Sequence, residues 1–236
     1  MTEPPDHQKN SDHTEPATDG GELQREAYFP TFIFYRDLAG GKLLNDEIKP
    51  YIYAWRDADK AGIVRSNVQS VGAWHSAVDM NQRPEYRLLC ELIVEAAQAV
   101  FDDLAYDPNF EPAIDNMWVN VSPRYGYNRN HVHPNALWSG VYYVQAPPGA
   151  GRIFFSDPRP QVPLVSPRFI PDQPRRSESW TEVFYEAIGG RLIMFPSWLV
   201  HEVEPNITEL EGPDADRISV SFNLVQRRRA TQPGSN

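Results

Sequence analysis

The chain has 236 residues, 41% of them hydrophobic and 12% aromatic, which suits one domain of ordinary size with a buried core. Its formal net charge is −10, so its surface repels phosphate backbones and argues against nucleic acid as a partner, and no apolar run approaches the roughly 20 residues needed to span a bilayer. A single cysteine, Cys90, rules out an intrachain disulfide, and the 22 prolines fall mostly between apolar runs, as in a chain of many short strands.

Residues 1–22, MTEPPDHQKNSDHTEPATDGGE, have no basic start followed by an apolar stretch, so no secretory signal is read there and a cytoplasmic location is expected. They bury too little apolar surface to offset the entropy of ordering. A disordered tail is expected, in which His7 and His13 are poor ligand candidates, followed by one domain over 23–236. YFPTFIFYRDL (28–38) reads as a strand. KLLNDEIKPYIYAWRDADKAG (42–62) has helical spacing at Leu44, Ile48, Tyr51 and Trp55, with Pro50 marking a kink or a helix start nearby. SNVQSVGAWHSA (66–77) has no clear period. The strongest helix runs from Glu85 to Leu104, with Leu88, Leu92, Ala96 and Val100 on one stripe, and Asp107-Pro108 ends it. Cys90, inside that helix, reads as a small buried hydrophobe.

From residue 114 short strand-like runs follow one another: NMWVNVS, WSGVYYVQA, GRIFFSD, TEVFYEAI, GRLIMFPS, LVHEVEP and RISVSFNLVQ. The Pro- and Arg-rich stretch at 158–180 reads as an extended loop. The fold class expected is mainly β: a jelly-roll or double-stranded β-helix core over about residues 114–226, supported by N-terminal helices.

Three histidines carry the candidate chemistry. His131 and His133 are two apart in an extended segment, so their side chains share a face, and His201 lies in a later strand. Two ligands from one segment and one from a distant strand make a facial triad that leaves positions open for substrate and oxygen, as non-haem iron chemistry needs. An H-x-H pair alone occurs by chance; what lies downstream adds weight. In RISVSFN, Arg217 and Ser219 share a strand face, and a guanidinium beside a hydroxyl can grip a carboxylate. Such a buried arginine needs a partner, which a dicarboxylate would supply. Tyr142 and Tyr143 face opposite sides of their strand, and one of them can turn a phenol inward. Asp157 in FFSDPR is good turn chemistry. Trp138 and Trp198 read as pocket walls, and His75 as structural, with pocket lining the alternative. Arg124, Arg129 and Arg159 would favour an anionic substrate if they ring the pocket mouth.

Together, H-V-H-P, S-G-V-Y-Y, D-P-R, F-P-S-W-x-x-H and R-I-S-x-S-F-N resemble a family of 2-oxoglutarate and Fe(II)-dependent oxygenases of bacteria and marine phages, over about residues 114–226 and more weakly over FPTFIFYRDL and SNVQSVGAWHS. HVHPN and the Tyr-Tyr strand are more distantly similar to prolyl hydroxylases. The resemblance implies a double-stranded β-helix with His131 as first metal ligand and His201 as last. It further implies Tyr143 and Arg217 on the distal carboxylate of 2-oxoglutarate, and Asn120 near its proximal end. One position departs from the pattern: most of the superfamily has Asp or Glu where this chain has His133. Three arrangements are open: His133 completes a three-His site, Asp157 supplies a carboxylate from another strand, or chloride or water fills the position. The reading taken is His133, with Asp157 as the alternative ligand. The implied activity is oxidation by O2 with Fe(II) and 2-oxoglutarate, most often hydroxylation, of a small-molecule or peptidic substrate. Two other readings are a three-His iron dioxygenase that needs no cosubstrate and a non-catalytic jelly-roll binding protein.

Overall fold

A computed structural model of the chain describes residues 23–165 and 167–230; the tail expected over residues 1–22, with His7 and His13, lies outside them. The chain divides after Pro30, and residues 23–30 contain neither helix nor strand. The unit that begins at Thr31 holds every element. Its first part runs β1 (Phe34–Asp37), α1 (Gly41–Ala58), α2 (Ala61–Arg65), β2 (Trp74–His75) and α3 (Arg87–Asp103). Eight strands follow: β3 (Phe110–Ser122), β4 (Asn128–His131), β5 (Trp138–Gln145), β6 (Arg152–Ser156), β7 (Glu182–Glu186), β8 (Arg191–Pro196), β9 (His201–Val203) and β10 (Arg217–Arg228). No helix among the described residues is long and apolar enough to cross a membrane.

The strands form two antiparallel sheets, one in the order β1-β8-β5-β10-β3-β2 and the other β4-β9-β6-β7. The period-two alternation of side chains sorts the large sheet into two faces. Met117, Val119 and Val121 of β3, Tyr142 and Val144 of β5, Leu192 and Met194 of β8, and Ile218, Val220, Phe222 and Leu224 of β10 pack in one core with α1 and α3. The opposite face meets the small sheet, where Val141, Tyr143, Ile193 and Phe195 pack with Ile153 and Phe155 of β6 and with Leu199. Helices, large sheet and small sheet thus form three layers. The mainly β, double-stranded β-helix architecture is as expected from the strand pattern, and the described residues of the 158–180 stretch are irregular apart from short 3-10 turns.

The helices correct the sequence reading in detail. α1 passes through Pro50, although proline has no amide hydrogen to complete the helical ladder there. Its buried stripe is Leu44, Ile48, Ile52 and Trp55; Tyr51 is half exposed. In α3 the buried positions are Leu89, Ile93, Ala96, Ala97, Val100 and Phe101, whereas Leu88 is 51% exposed. A strict step of four drifts by about 40° per turn around a helix of 3.6 residues per turn, so Leu88 and Val100 cannot share one face. Cys90 is partly buried, with its thiol pushed up to about 11 by burial and its Sγ 3.7 Å from the Met117 Sδ. β1 is shorter than the aromatic run that suggested it.

One glycine is required by the layer contact. At Gly140 of β5 an added Cβ would lie 2.2 Å from the Phe222 ring and 2.7 Å from the Ile193 carbonyl. Gly140→Ala is therefore expected to lower stability by about 1–3 kcal/mol, the usual range for overpacking a core. Urea unfolding of wild type and variant measures this, and an unchanged midpoint would show that Phe222 yields without cost.

Candidate active site

The histidines meet where the small sheet faces the large one. His131 ends β4 and is the direct cross-strand partner of His201, the first residue of β9. His133 lies past the end of β4, where its amide donates to the Ser197 carbonyl at 2.9 Å. The three ring centroids lie 5.2 Å (His131–His133), 4.2 Å (His131–His201) and 5.1 Å (His133–His201) apart. One nitrogen from each ring can be chosen so that all three lie within 4.8 Å of one another.

The second ring nitrogens show which atoms are available. Nδ1 of His131 is 2.6 Å from the Arg129 carbonyl, Nδ1 of His133 is 2.6 Å from Asn223 Oδ1, and Nδ1 of His201 is 2.9 Å from the Leu199 carbonyl. Each of those oxygens accepts, so each Nδ1 carries a proton, and in the neutral form of the ring Nε2 is the nitrogen with the lone pair. Burial lowers His133 and holds His201 down at about 3, with neighbouring histidines adding to both shifts. His133 and His201 are therefore neutral near pH 7, the form that binds a metal.

No carboxylate joins this group among the described residues. Asp157, the alternative ligand, follows β6 and is gripped by Arg159, with Nε on Oδ1 at 3.0 Å and Nη2 on Oδ2 at 2.8 Å. That guanidinium holds its carboxyl below the usual carboxylate range. Asp157 does not line the cavity.

The cavity beside the histidines measures about 280 Å³ and runs between the sheets. Arg217, Ser219, Ser221 and Asn223 of β10 line it together with Trp118, Asn120 and Ser122 of β3. All are the strand positions that alternate with the helix-facing core. Arg217 is 2% exposed. Its Nη1 donates to the carbonyls of Ala150 and Glu204, and its Nη2 donates to the Gly126 carbonyl at 3.2 Å. Backbone carbonyls are thus partners of this arginine that the sequence reading did not include. Three backbone carbonyls already hold it, and Gly151, at φ +87°, allows the approach: a Cβ there would lie 2.9 Å from Nη1. Nε and one Nη2 hydrogen have no acceptor in the described residues. Nε and Nη2 are the nitrogens through which Arg152, Arg159 and Arg191 each grip a carboxylate elsewhere in the molecule.

The two tyrosines of β5 separate as the alternation requires. Tyr142 points to the helices and donates to Asn45 Oδ1 at 2.7 Å. Tyr143 lines the cavity, and its hydroxyl is buried without a hydrogen-bond partner. Burial raises this phenol to about 12, so it stays a neutral donor. Asn120 also lines the cavity, with Nδ2 3.3 Å from Ser221 Oγ.

Other residues fall differently from the sequence reading. His75 lines the cavity, and its ring stacks on Trp118 with centroids 5.6 Å apart. Trp118 was missed, although NMWVNVS places it two residues from Asn120 and on the same face. Trp138, expected as a pocket wall, instead faces the helices, where its indole donates to the Tyr106 hydroxyl at 3.2 Å. Trp198 is 54% exposed and does not line the cavity. Nor do Arg124, Arg129 or Arg159, the arginines considered for the pocket mouth.

Residues 116–223 match the model of the family described as "Putative 2OG-Fe(II) oxygenase". This stretch is a 2OG-Fe(II) oxygenase domain. No curated protein matches the chain in sequence. Among solved structures, the chain is similar to a prolyl-4-hydroxylase of Pseudomonas putida, with 18% identity over 84% of this chain and 92% of that one at a TM-score of 0.50. It is also similar to the non-heme alpha ketoglutarate dependent epimerase SnoN from nogalamycin biosynthesis, with 15% identity, 86% of each chain covered and a TM-score of 0.53. A third is HygX from Streptomyces hygroscopicus, solved with nickel, 2-oxoglutarate and hygromycin B, with 10% identity, 82% of each chain covered and a TM-score of 0.50. At these identities the likeness is one of fold. The oxygenase domain contains the whole histidine-approach segment, the Tyr143 strand, His201 and all of β10 from Arg217 to Asn223.

The depressed His201 gives the metal-free oxygenase domain a pH signature. Between its ordinary value of 6.5 and about 3, the unfolded chain holds a proton that the folded chain does not. The contribution is thus complete above about pH 6.5 and is lost as pH falls toward 3; His133 acts in the same direction. Urea midpoints of chelator-treated protein at pH 7 and pH 5 should fall with acidity, and less so in His201→Gln. An equal fall in the variant would assign the loss to other groups.

Proposed function

We propose that the chain oxidises a small-molecule or peptidic substrate, by hydroxylation, with Fe(II) held by Nε2 of His131, His133 and His201. 2-Oxoglutarate would be held by Arg217 and Tyr143, with Ser219 and Asn120 beside it, in one catalytic domain whose β core runs over about 114–226. The observation that carries the reading is a single cavity containing two kinds of unused group. At one place three imidazoles have Nδ1 occupied and Nε2 available. At another, a buried arginine has donors to spare and a buried phenol lacks any partner. An orphaned buried hydroxyl costs about 1–3 kcal/mol, so its persistence suits a ligand that accepts from it. A carboxylate fits both groups.

Bound Fe(II) and 2-oxoglutarate supply the activation of O2. The chain supplies geometry, charge and exclusion of water. Arg217 and Tyr143 would orient an acid end, and Val141, Ile153, Phe195 and Val203 add apolar surface to the same lining. Trp118 and His75 offer a flat wall for substrate. No Asp or Glu is among the residues that line the cavity, so a neutral or anionic substrate suits it better than a cation.

The test is titration of 2-oxoglutarate into the anaerobic Fe(II) protein, followed by the metal-to-ligand charge-transfer band. Tyr143→Phe removes only an unpartnered hydroxyl. It should fold at least as stably as wild type, keep its iron, and bind 2-oxoglutarate about 1.5–3 kcal/mol more weakly, the range for a hydrogen bond to a charged group. Arg217→Lys should weaken binding further, by about 2–5 kcal/mol. Undiminished affinity in both would move the anchor elsewhere, and a wild type with no band would instead support a three-His iron dioxygenase without cosubstrate. In parallel, alanine at His131, His133 or His201 should abolish iron binding by metal analysis while Asp157→Ala retains it; the reverse pattern for His133 and Asp157 would restore a carboxylate ligand.

A further inference from the structure

The three imidazoles are not positioned alike. His131 and His201 each place Nδ1 on a backbone carbonyl two residues earlier, Arg129 and Leu199, so their orientation comes with the local chain. His133 lies beyond the strand end and has no such carbonyl. Its ring is held from 90 residues away in sequence, by Asn223 Oδ1 at 2.6 Å. We propose that Asn223 is the positioning residue of this site, fixing the orientation and tautomer of His133 so that Nε2 turns toward His131 and His201. The proposal rests on the reading that His133 is a metal ligand.

An asparagine can hold an imidazole this way only if its own amide cannot flip, and the sheet prevents flipping. In the ladder Asn223 of β10 stands between Asn116 of β3 and Ser139 of β5, its direct partners on either side. Its Nδ2 donates to Asn116 Oδ1 at 2.8 Å, and the Ser139 hydroxyl donates to its Oδ1 at 2.7 Å. A flipped amide would set two acceptors face to face at Asn116, whose own Nδ2 is committed to Asp115 Oδ2 at 2.9 Å; the Ser139 hydroxyl can turn either way and follows the amide. Oδ1 is thereby committed as an acceptor, and His133 Nδ1 must bring the proton. Ser139 is also 2.7 Å from Ser197 Oγ, and Ser197 accepts the His133 amide through its carbonyl. Backbone and ring of His133 are therefore referred to the same three-strand polar network, buried at Ser139, Ser197 and Asn223. A neutral amide also leaves the site's charge unchanged. The position is a side-chain stand-in for the carbonyl that the other two histidines find in their own chain.

The experiment uses Asn223→Leu, which removes the acceptor at similar volume, and Asn223→Ser, which keeps a hydroxyl near Asn116 but is too short to reach the ring. Either variant suffices should the other not fold. Co(II) titration, read by its visible d–d bands, gives affinity. Long-range 1H–15N spectra of the metal-free proteins give each histidine's tautomer, which a merely structural loss would not change at one ring alone. The leucine and serine variants should bind Co(II) about 10–100-fold more weakly, the usual effect of removing a ligand's hydrogen-bond partner. They should lose the fixed Nδ1–H form at His133 while His131 and His201 keep theirs. Wild-type affinity together with an unchanged His133 tautomer in the leucine or serine variant overturns the proposal. So does a His133→Ala variant that binds Co(II) as tightly as wild type, in which case the ligand reading itself has failed; weakened binding in His133→Ala with no effect at Asn223 isolates the failure to the positioning role.

Discussion

The site depends on one constraint, the strict alternation of side chains along the strands of the large sheet. β10 shows it most simply. Ile218, Val220, Phe222 and Leu224 are buried against the helical layer, and every residue between Arg217 and Asn223 that alternates with them faces the cavity. A slip of one residue would bury Arg217, Ser219 and Ser221 among α1 and α3 and push four large apolar side chains between the sheets. The hydrophobic core therefore fixes the register, and the register delivers the polar row. The same alternation in β3 and β5 sets Asn116, Trp118, Asn120, Ser139 and Tyr143 beside that row at defined positions. Catalytic geometry of this kind needs no strained backbone, because rigid strands hold it.

Arg217, almost fully buried, lines the cavity and ties the surrounding loops together. Its three carbonyl partners come from three different connections: Gly126 between β3 and β4, Ala150 between β5 and β6, and Glu204 just after β9. Asn206, fully buried, works beside it, donating to the Ser122 and Ala215 carbonyls. Loops that would otherwise carry unsatisfied carbonyls into the interior are tied together by two side chains. Burial pulls the guanidinium below its ordinary value, and the Glu204 carboxylate does not pair with it, because Arg152 holds that carboxylate in two hydrogen bonds. Carbonyl dipoles offset part of the desolvation cost without cancelling the charge, which leaves Arg217 both structural and electrostatically unfinished.

Much of this was legible in the sequence, for a physical reason. The strands, the three-histidine cluster and the cavity face of Arg217 and Ser219 follow from period-two patterning, which strands obey closely; the same pattern put Tyr142 and Tyr143 on opposite faces, and only the family resemblance pointed to Tyr143 as the inward one. What was not legible depends on contacts across the fold. Trp138 and Trp118 are equally large and both lie near the histidines in sequence, yet only the second has the cavity parity. Asn223 stands in the same RISVSFN run as Arg217, but its partners Asn116, Ser139 and His133 come from three other segments, so no local spacing signals its role. The α3 stripe was misplaced at Leu88 because the period of a helix is not an integer. Asp157 satisfied a motif and then found a partner two residues away, Arg159, which no sequence pattern forbids.

The proposed ligand set has a consequence for charge. Three neutral imidazoles leave an Fe(II) ion with its full double charge, where a carboxylate ligand would reduce it by one. Arg217 adds another positive charge, and the lining of the cavity contains no acidic residue to balance it, although the chain has 32 acidic residues. In a medium of low effective dielectric such an excess is costly until anions enter. In the proposed arrangement 2-oxoglutarate would bring two negative charges, one end at Arg217 and Tyr143 and the other toward the histidines. One positive charge then remains. On this arrangement the cavity would favour its cosubstrate more strongly than a site with a carboxylate ligand would, and a cationic substrate would meet net repulsion with no acidic side chain in the lining to relieve it. Replacing one carboxylate by His133 thus bears on what the cavity admits as well as on how its metal is held.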